Sequence, residues 1–543
     1  MGSVNPNQSL ASSVVERLRA AGVRTFCICP GGRNAPLVEA LEPRAGDSAE
    51  VLSFFDERTA GFFAFGRARR DRAPVAVVTT SGTAAAELLP VMVEAHYSAV
   101  PVVAVTADRP RAYRRSGAPQ TIEQVGLYGV YATLSLDLEH PCEPCALPRL
   151  SGPAHINVCF SEPLLAGWQA DDGPAFEGAP SAFRDHADRP APPATDDAWP
   201  EARDFMERLR RPLIIAGGLQ DDSDSRDLLR FCQAVGAPVI AEASSGIRSA
   251  LGPSLLRSGD AAVQRGFEQG VFDSVIRVGD VPSFRVWRDL DLSLAQPVLS
   301  VSRKPWRGLA RGVHVQAPAG EPLLASVEQC ISAVQNGGAP AHAGGIAALF
   351  DWDRALTVGT DRLLAANPGS EPAIVRRLSE TIPAGSFVYL GNSLPIREWN
   401  QFATFADRGF VFGENRGANG IDGQVASFLG WARSGIDNWA IVGDLTALYD
   451  LSSLWAVRHL EGLRLRLVVI NNGGGRIFKR MFRNERFQNR HATGFEAWAA
   501  MWGAEYHRGF PEGDVGPVAV MELRPDEAQT DAVWAGIADE TRR

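Results

Sequence analysis

The chain lacks a basic block, an apolar run long enough to cross a membrane, and a disulfide-rich cysteine pattern, and each lack narrows the field. Basic residues number 54 against 63 acidic, for a net charge of −9. With no Lys/Arg cluster, nucleic acid is not expected as a partner. No apolar stretch approaches the roughly 20 residues that span a bilayer, so no membrane partner is expected either. The opening segment, Met1 to Val23, has no apolar core behind a basic start and does not read as a secretory signal. The seven cysteines are scattered at 27, 29, 142, 145, 159, 232 and 330. Cys142-Glu-Pro-Cys145 is a lone CxxC without a second pair, which argues against metal or redox use. A cytoplasmic, reduced protein is the reading. What is present is ordinary for a globular protein: 543 residues, 45% hydrophobic and 22% charged, enough for roughly three domains at about 150 residues each.

Alternating apolar runs and amphipathic stretches divide the chain into three α/β blocks with no obvious repeat between them. The first, 1–175, holds a helix over Ser9 to Ala21 and strands at Thr25–Cys29, Val51–Phe54, Pro74–Val78, Val100–Val105 and near His155–Cys159. Residues 173–200, rich in Pro, Ala and Asp, read as a linker. The second block, 200–335, has strands after Arg211, at Ala237–Ala241 and at Ser274–Gly279. A Gly/Pro/Ala stretch over 335–345 leads to the third, 346–543. Three doubly wound parallel-sheet α/β domains are the most economical fold.

The most informative segment runs from Gly443 to Gly475. An apolar strand (Trp439 to Val442) ends in Gly443-Asp444, and a second (Leu465 to Ile470) ends in Asn471-Asn472 and three glycines. In a parallel sheet both ends fall on the ligand-binding edge. Oxygen ligands of this kind suit Mg²⁺ held together with substrate phosphates, and the glycines let backbone approach a phosphate. Each half alone is also what a helix cap and a plain turn look like; together they favour a diphosphate–metal site. Other turns follow predicted strands: Cys29-Pro-Gly-Gly-Arg-Asn, Phe55-Asp-Glu-Arg, Thr79-Thr-Ser-Gly-Thr, Thr106-Ala-Asp-Arg-Pro, Gly391-Asn-Ser-Leu-Pro-Ile-Arg and Glu414-Asn-Arg-Gly-Ala-Asn-Gly-Ile-Asp-Gly. Arg33, Arg109, Arg397 and Arg416 all sit just past strand ends. Any one alone reads as a surface ion pair, but four in equivalent places point to a substrate with several carboxylates.

The motifs PGGRNAPL, DERTAGFFAFG, TTSGTAAAELLP, TADRP, GAPQTIEQ, GPAHINV, GNSLPIREW, NRGANGIDG, GDLTALYDL and NNGGGRIF occur in one order along the chain. In that order they resemble the 2-succinyl-5-enolpyruvyl-6-hydroxy-3-cyclohexene-1-carboxylate synthases, thiamine-diphosphate-dependent transferases of menaquinone biosynthesis. The likeness covers nearly the whole length and is weakest in the middle block. It implies an N-terminal pyrimidine-binding domain, a central domain without cofactor contacts, and a C-terminal diphosphate-binding domain. It also implies a homodimer or homotetramer with active sites between subunits. Glu57 would hydrogen-bond the aminopyrimidine ring and drive formation of the cofactor's ylide. Asp444, Asn472 and the Gly474 carbonyl would hold Mg²⁺ (or Mn²⁺), Ile421 would support the bent cofactor, and Asn392, Ser393, Gly420, Gly443, Leu445, Thr446 and Ile477 would complete its binding site. The implied reaction is decarboxylation of 2-oxoglutarate and addition of the succinyl-semialdehyde unit to isochorismate. Ser393, Arg397 and Arg416 would handle the 2-oxoglutarate part; Arg33, Arg109, Gln120 and Arg285 would face the acceptor, with Arg285 the loosest match, since Lys is more usual there.

Three positions depart from the family pattern. Gly32 replaces a Ser, Pro119 replaces an Asn, and Gly473 replaces an Asn or Asp. The first two remove acceptor-side hydrogen-bonding groups, each worth about 0.5–1.5 kcal/mol, and Pro119 fixes φ next to Gln120. A paralogue that passes the same intermediate to a different acceptor is therefore the alternative. A catalytically silent relative is a third reading, opposed by intact Glu57, Asp444 and Asn472.

Overall fold

In a computed structural model the described residues are 5–46, 49–141, 147–168, 198–219, 221–292, 294–317, 323–324, 327–336 and 345–542. The CxxC of Cys142 and Cys145 and most of the two linkers lie outside them. No described helix is long and apolar enough to cross a membrane.

Three sheets follow one another along the chain. The first contains β1 (Thr25–Cys29), β2 (Glu50–Ser53), β3 (Val75–Thr79), β4 (Val102–Asp108), β5 (Leu134–Leu138) and β6 (Ala154–Cys159), in the order β2-β1-β3-β4-β6-β5. The second contains β7 (Pro212–Ala216), β8 (Val239–Ala241), β9 (Ser274–Val278), β10 (Val298–Ser302) and β11 (Val313–Gln316), ordered β11-β10-β9-β7-β8. The third contains β12 (Phe387–Leu390), β13 (Val411–Gly413), β14 (Asp437–Gly443), β15 (Arg464–Ile470), β16 (Glu505–Arg508) and β17 (Val518–Leu523), ordered β13-β12-β14-β15-β17-β16. The strand pairs are parallel in all three, from β1 with β3 to β7 with β9 and β14 with β15.

Central strands are apolar throughout because both of their faces are covered. On β1, Cys27 and Cys29 enter one core with Phe62 and Phe63, while Phe26 and Ile28 enter another with Leu10, Val14 and Leu18. On β9, Ile276 and Val278 pack with Leu228 and Phe231, and Val275 with Ala262 and Val263. On β14, Ala440 and Val442 face Phe428, and Ile441 faces Val375 and Leu378. Helices on both faces make each unit doubly wound.

The first and third sheets share a core within this one chain, since Val77 and Tyr389 belong to the same apolar cluster. The helices Glu57–Asp71 and Gln424–Trp431 cross there at backbone contact. A Cβ on Gly66 would lie 1.9 Å from the Ser427 carbonyl oxygen, and one on Gly430 2.0 Å from that of Phe63. Only glycine permits that approach.

Strand order also places the functional edge. In the first sheet the chain reverses direction between β1 and β3, and in the third between β12 and β14. Ligands of open α/β sheets bind outside the carboxyl ends of the strands at such a reversal.

Candidate active site

At the reversal of the third sheet, the ends of β12, β14 and β15 open into a cavity of about 340 Å³, cofactor-sized by the usual range of about 300–1,000 Å³. Its walls include Asn392, Ser393, Arg397, Arg416, Ile421, Gly443, Asp444, Leu445, Thr446, Asn472, Gly474 and Ile477. These are twelve residues expected from sequence, drawn from four separate loops. Gly420 stands behind them, its carbonyl accepting from Asn392 Nδ2 at 2.8 Å.

Asp444 is the first residue after β14 and is buried. Its Oδ2 accepts from the backbone N–H groups of Gly473 and Gly474 at 2.8 and 2.9 Å, and its Oδ1 from that of Leu445 at 2.6 Å. Burial pushes its pKa up, opposed by these hydrogen bonds and by neighbouring His491. Both asparagines after β15 spend their side-chain nitrogen within the protein. Asn471 Nδ2 is spent inside the fold, on Thr493 O at 2.8 Å and Glu522 Oε1 at 2.7 Å. Asn472 gives its nitrogen to Glu371, while its Oδ1 is buried without a hydrogen-bond partner. A buried carbonyl oxygen of this kind is costly unless something meets it. Gly474 sits at φ +133°, where a Cβ would be 2.3 Å from the Gln488 carbonyl oxygen. Gly443 is the opposite case: a Cβ there would meet nothing within 4 Å and would project into open space beside the cavity. One carboxylate, one orphaned amide oxygen and bare backbone form a donor set suited to a hard divalent ion bridging to a diphosphate.

The neighbouring loop is built to carry charge to the same place. Ser393 lies at φ +72°, an uncommon conformation for a side-chain-bearing residue, kept here at the cavity's edge. Arg397, one turn into the helix Leu394–Phe402, donates to the Ser393 carbonyl at 2.7 Å. Its side chain is exposed, yet partial desolvation and then the Arg416 cation pull its pKa below the usual arginine range. Arg416 donates to Asn392 Oδ1 at 3.1 Å, and Asn392 Nδ2 also donates to Asn415 O at 2.8 Å. Asn392 therefore positions the 415–420 loop with its whole carboxamide.

Residues that local sequence signals do not reveal hold this apparatus together. Glu94, in the middle of the helix Leu89–Ser98, accepts from Gly417 N and Ala418 N at 2.7 Å each. Asp450 accepts from Gly423 N and Val425 N at 2.8 and 2.9 Å, capping the helix behind Ile421. Burial pushes Asp450 up to about 7. Glu371 is a third, a hundred residues from its partner. Each looks like a solvated acid in a linear reading.

The remaining expected residues do not line this cavity. Glu57 starts the helix Glu57–Asp71 after the N-cap Asp56, half-buried, with its pKa raised by desolvation and further by Asp56 and Glu87. Its helix instead meets 449–452 of the same chain, where Arg58 donates to Tyr449 O at 2.7 Å and Thr59 Oγ1 lies 2.9 Å from Ser452 Oγ. Arg33, Arg109 and Gln120 belong to loops at the carboxyl edge of the first sheet. Arg33 is buried, bonded to Phe160 O at 3.1 Å and ion-paired with Glu162 at 2.9 Å. Arg109 Nε donates to the Pro119 carbonyl at 3.2 Å, and Gln120, at φ +54°, packs on Gly82. A Cβ on Gly32 would meet nothing within 4 Å, so the missing side chain leaves open space, not a steric demand. Arg285 opens a helix of the central domain, largely exposed and paired with Asp289 at 3.4 Å, with its backbone N–H donating to Asp260 Oδ2 at 3.0 Å.

Fold and site together define a thiamine-diphosphate enzyme: residues 8–127 match the family model for the N-terminal thiamine-pyrophosphate-binding domain of such enzymes. The chain is 42% identical to a 2-succinyl-5-enolpyruvyl-6-hydroxy-3-cyclohexene-1-carboxylate synthase of Bdellovibrio bacteriovorus, over 97% of this chain and 98% of the relative. Proteins of the same name from Akkermansia muciniphila (36%, 99% of each chain) and Rubrobacter xylanophilus (33%, 93% and 91%) are also similar. The chain belongs to the 2-succinyl-5-enolpyruvyl-6-hydroxy-3-cyclohexene-1-carboxylate synthase family.

Proposed function

We propose that the protein decarboxylates 2-oxoglutarate and adds the succinyl-semialdehyde unit to isochorismate in menaquinone biosynthesis, as a cytoplasmic homo-oligomer with active sites between subunits. The observation that carries the reading is the meeting of Asp444, the orphaned Asn472 Oδ1 and bare Gly443 beside Arg397 and Arg416. Thiamine diphosphate, when bound, supplies a nucleophilic carbon and an electron sink for loss of CO₂.

The chain's own residues have separable tasks. Asp444, Asn472 Oδ1 and the Gly474 carbonyl would hold Mg²⁺ (or Mn²⁺) against the diphosphate, and Ile421 would support the ring system. Arg397 and Arg416 place two cations at one wall, matched to the carboxylates of 2-oxoglutarate. Arg33, Arg109 and Gln120 would form the acceptor side, where Glu162 neutralises the buried Arg33 cation. Glu57 holds a proton at the cofactor ring; its raised pKa favours the protonated form. Since Glu57 does not line this chain's diphosphate cavity, its reach to a cofactor is assigned to a second subunit.

The departures at 32 and 119 give no separate support to another acceptor. The space at Gly32 is simply open, and the Pro119 carbonyl is used to hold Arg109. A complementation experiment tests the shared site. Glu57→Gln and Asp444→Ala proteins should each be inactive, the first by about 10²–10⁴-fold. Co-refolded mixtures should regain activity, because mixed dimers contain one site free of both changes. Mixtures as inactive as the parents would place Glu57 and Asp444 in one chain's site, or outside it.

A further inference from the structure

Glu371 is 2% exposed, opens the helix Glu371–Thr381 behind the N-cap Ser370, and lines the same cavity as Asp444 and Asn472. Burying a carboxylate without compensation is unfavourable, and among the described residues only Asn472 donates to this one. Asn472 Nδ2 lies 3.1 Å from Oε1 and 3.0 Å from Oε2 of Glu371. Both oxygens thus converge on one nitrogen. A carboxamide has a donor end and an acceptor end, and a carboxylate that only accepts can meet it nitrogen-first alone. The other end, Asn472 Oδ1, is then turned the opposite way, and it is the buried oxygen that has no partner in the protein.

The surroundings fix this geometry from both sides. The Glu371 backbone N–H donates to Thr530 Oγ1 at 3.0 Å, tying its helix to the C-terminal helix Glu527–Arg542. Asn472's own carbonyl accepts from Arg476 Nε at 3.1 Å, and Arg476 is ion-paired with Glu527 on that same helix. Burial and then the Asp444 charge push Glu371 up to about 7, opposed by the Asn472 hydrogen bond and by Arg476 and Arg480, while its place at the positive end of its helix favours the negative charge.

We propose that Glu371 is a positioning residue for the metal site: it captures the Asn472 carboxamide nitrogen and so presents Oδ1 to the divalent cation. This rests on the reading of Asn472 and Asp444 as metal ligands. Partners that orient a ligand from behind are worth about 10–100-fold in metal affinity. Glu371→Gln removes the one-way selection, because an amide at 371 can meet Asn472 either way round. Combining it with Asn472→Asp restores selection with inverted polarity, since the new amide donates to one carboxylate oxygen and leaves the other for the cation.

The test is Mn²⁺ affinity, read from the electron paramagnetic resonance signal of free Mn²⁺ at saturating thiamine diphosphate, with the melting temperature of each cofactor-free protein as a folding control. E371Q should weaken Mn²⁺ binding by about tenfold or more with little change in melting temperature, E371Q/N472D should recover most of the loss, and Asp444→Ala should lose binding. E371Q binding Mn²⁺ like the wild type while D444A does not would overturn the positioning role and leave the metal site standing. Failure of the double variant to recover would overturn it as well. Wild-type binding by D444A would instead sink the metal-site reading itself.

Discussion

Gly443 and Gly474 lie at two strand ends of one cavity, yet an alanine should act differently at each. At Gly474 the backbone is at φ +133°, and an added Cβ would press to 2.3 Å from the Gln488 carbonyl oxygen. Backbone strain of this sort costs about 1–3 kcal/mol, and forcing extra volume into a packed site about as much again. The cofactor-free loop can relieve the clash by moving, so the cost should emerge on binding, when Asn472 and the Gly474 carbonyl must return. Even about 2 kcal/mol corresponds to roughly thirtyfold in affinity. Gly443, at φ −78° and ψ 163°, can accept alanine without strain, and its Cβ would meet no protein atom within 4 Å. Gly443→Ala should therefore leave the cofactor-free melting temperature unchanged or raised slightly, by about 0.4–1 kcal/mol of unfolded-state entropy. It should still weaken thiamine diphosphate binding by filling the space that the diphosphate needs. Calorimetric titration of thiamine diphosphate at fixed Mg²⁺, paired with thermal melts, separates the two effects. A Gly443→Ala protein that binds the cofactor as tightly as wild type would refute the claim that the diphosphate passes over this backbone.

Gly66→Ala should lower the melting temperature, because the Ser427 carbonyl lies 1.9 Å from the new Cβ and two helix backbones must part; overpacking of this kind costs about 1–3 kcal/mol, and an unchanged melt would contradict the crossing. Glu94→Gln puts an N–H donor against a loop amide where Glu94 now accepts two, each such bond to a charged group being worth about 1.5–3 kcal/mol. A rise of roughly tenfold or more in KM for 2-oxoglutarate is expected as Arg416 loses its support, and steady-state kinetics would expose its absence. Asp450 gives a pH signature. Its folded pKa of about 7 lies above the unfolded value near 3.8, so the folded state holds the proton longer and stability falls as pH rises from about 4 to 7, by on the order of 4 kcal/mol at most. Melts of cofactor-free protein between pH 5 and 8 should slope downward, Glu371 and Glu414, also raised to about 7, adding to the fall, and Asp450→Asn should make the slope shallower; parallel profiles would remove the assignment.

Much of the site is legible in the sequence because strand ends in parallel sheets share an edge. The apolar runs before Gly443 and Asn471 locate Asp444 and Asn472, and the sheet order then makes them neighbours. Local pattern does not separate Asn471 from Asn472, which the family resemblance does; in the structure it is Asn472 that lines the cavity and keeps a buried, unpartnered Oδ1. Strands Leu134–Leu138, Val298–Ser302, Val313–Gln316, Glu505–Arg508 and Val518–Leu523 are additions of the structure to the strands expected from sequence. Glu505–Arg508 is polar and partly exposed at a sheet edge, so no apolar run marks it. Glu94, Glu371 and Asp450 are invisible for a related reason. Their function is to accept hydrogen bonds from distant backbone or side chains, and nothing nearby in sequence records those partners. The arginines show the converse limit: a position past a strand end is predicted by pattern, whereas the pairing of Arg33 with Glu162 and of Arg285 with Asp289 is set by tertiary packing.

If donor and acceptor are paired in one reaction, their consumption must be stoichiometric. Purified protein with thiamine diphosphate, Mg²⁺, 2-oxoglutarate and isochorismate should release CO₂ and consume isochorismate in equal amounts, forming the adduct in step with both. Continued consumption of 2-oxoglutarate while isochorismate disappears no faster than in buffer would rule out isochorismate as the acceptor.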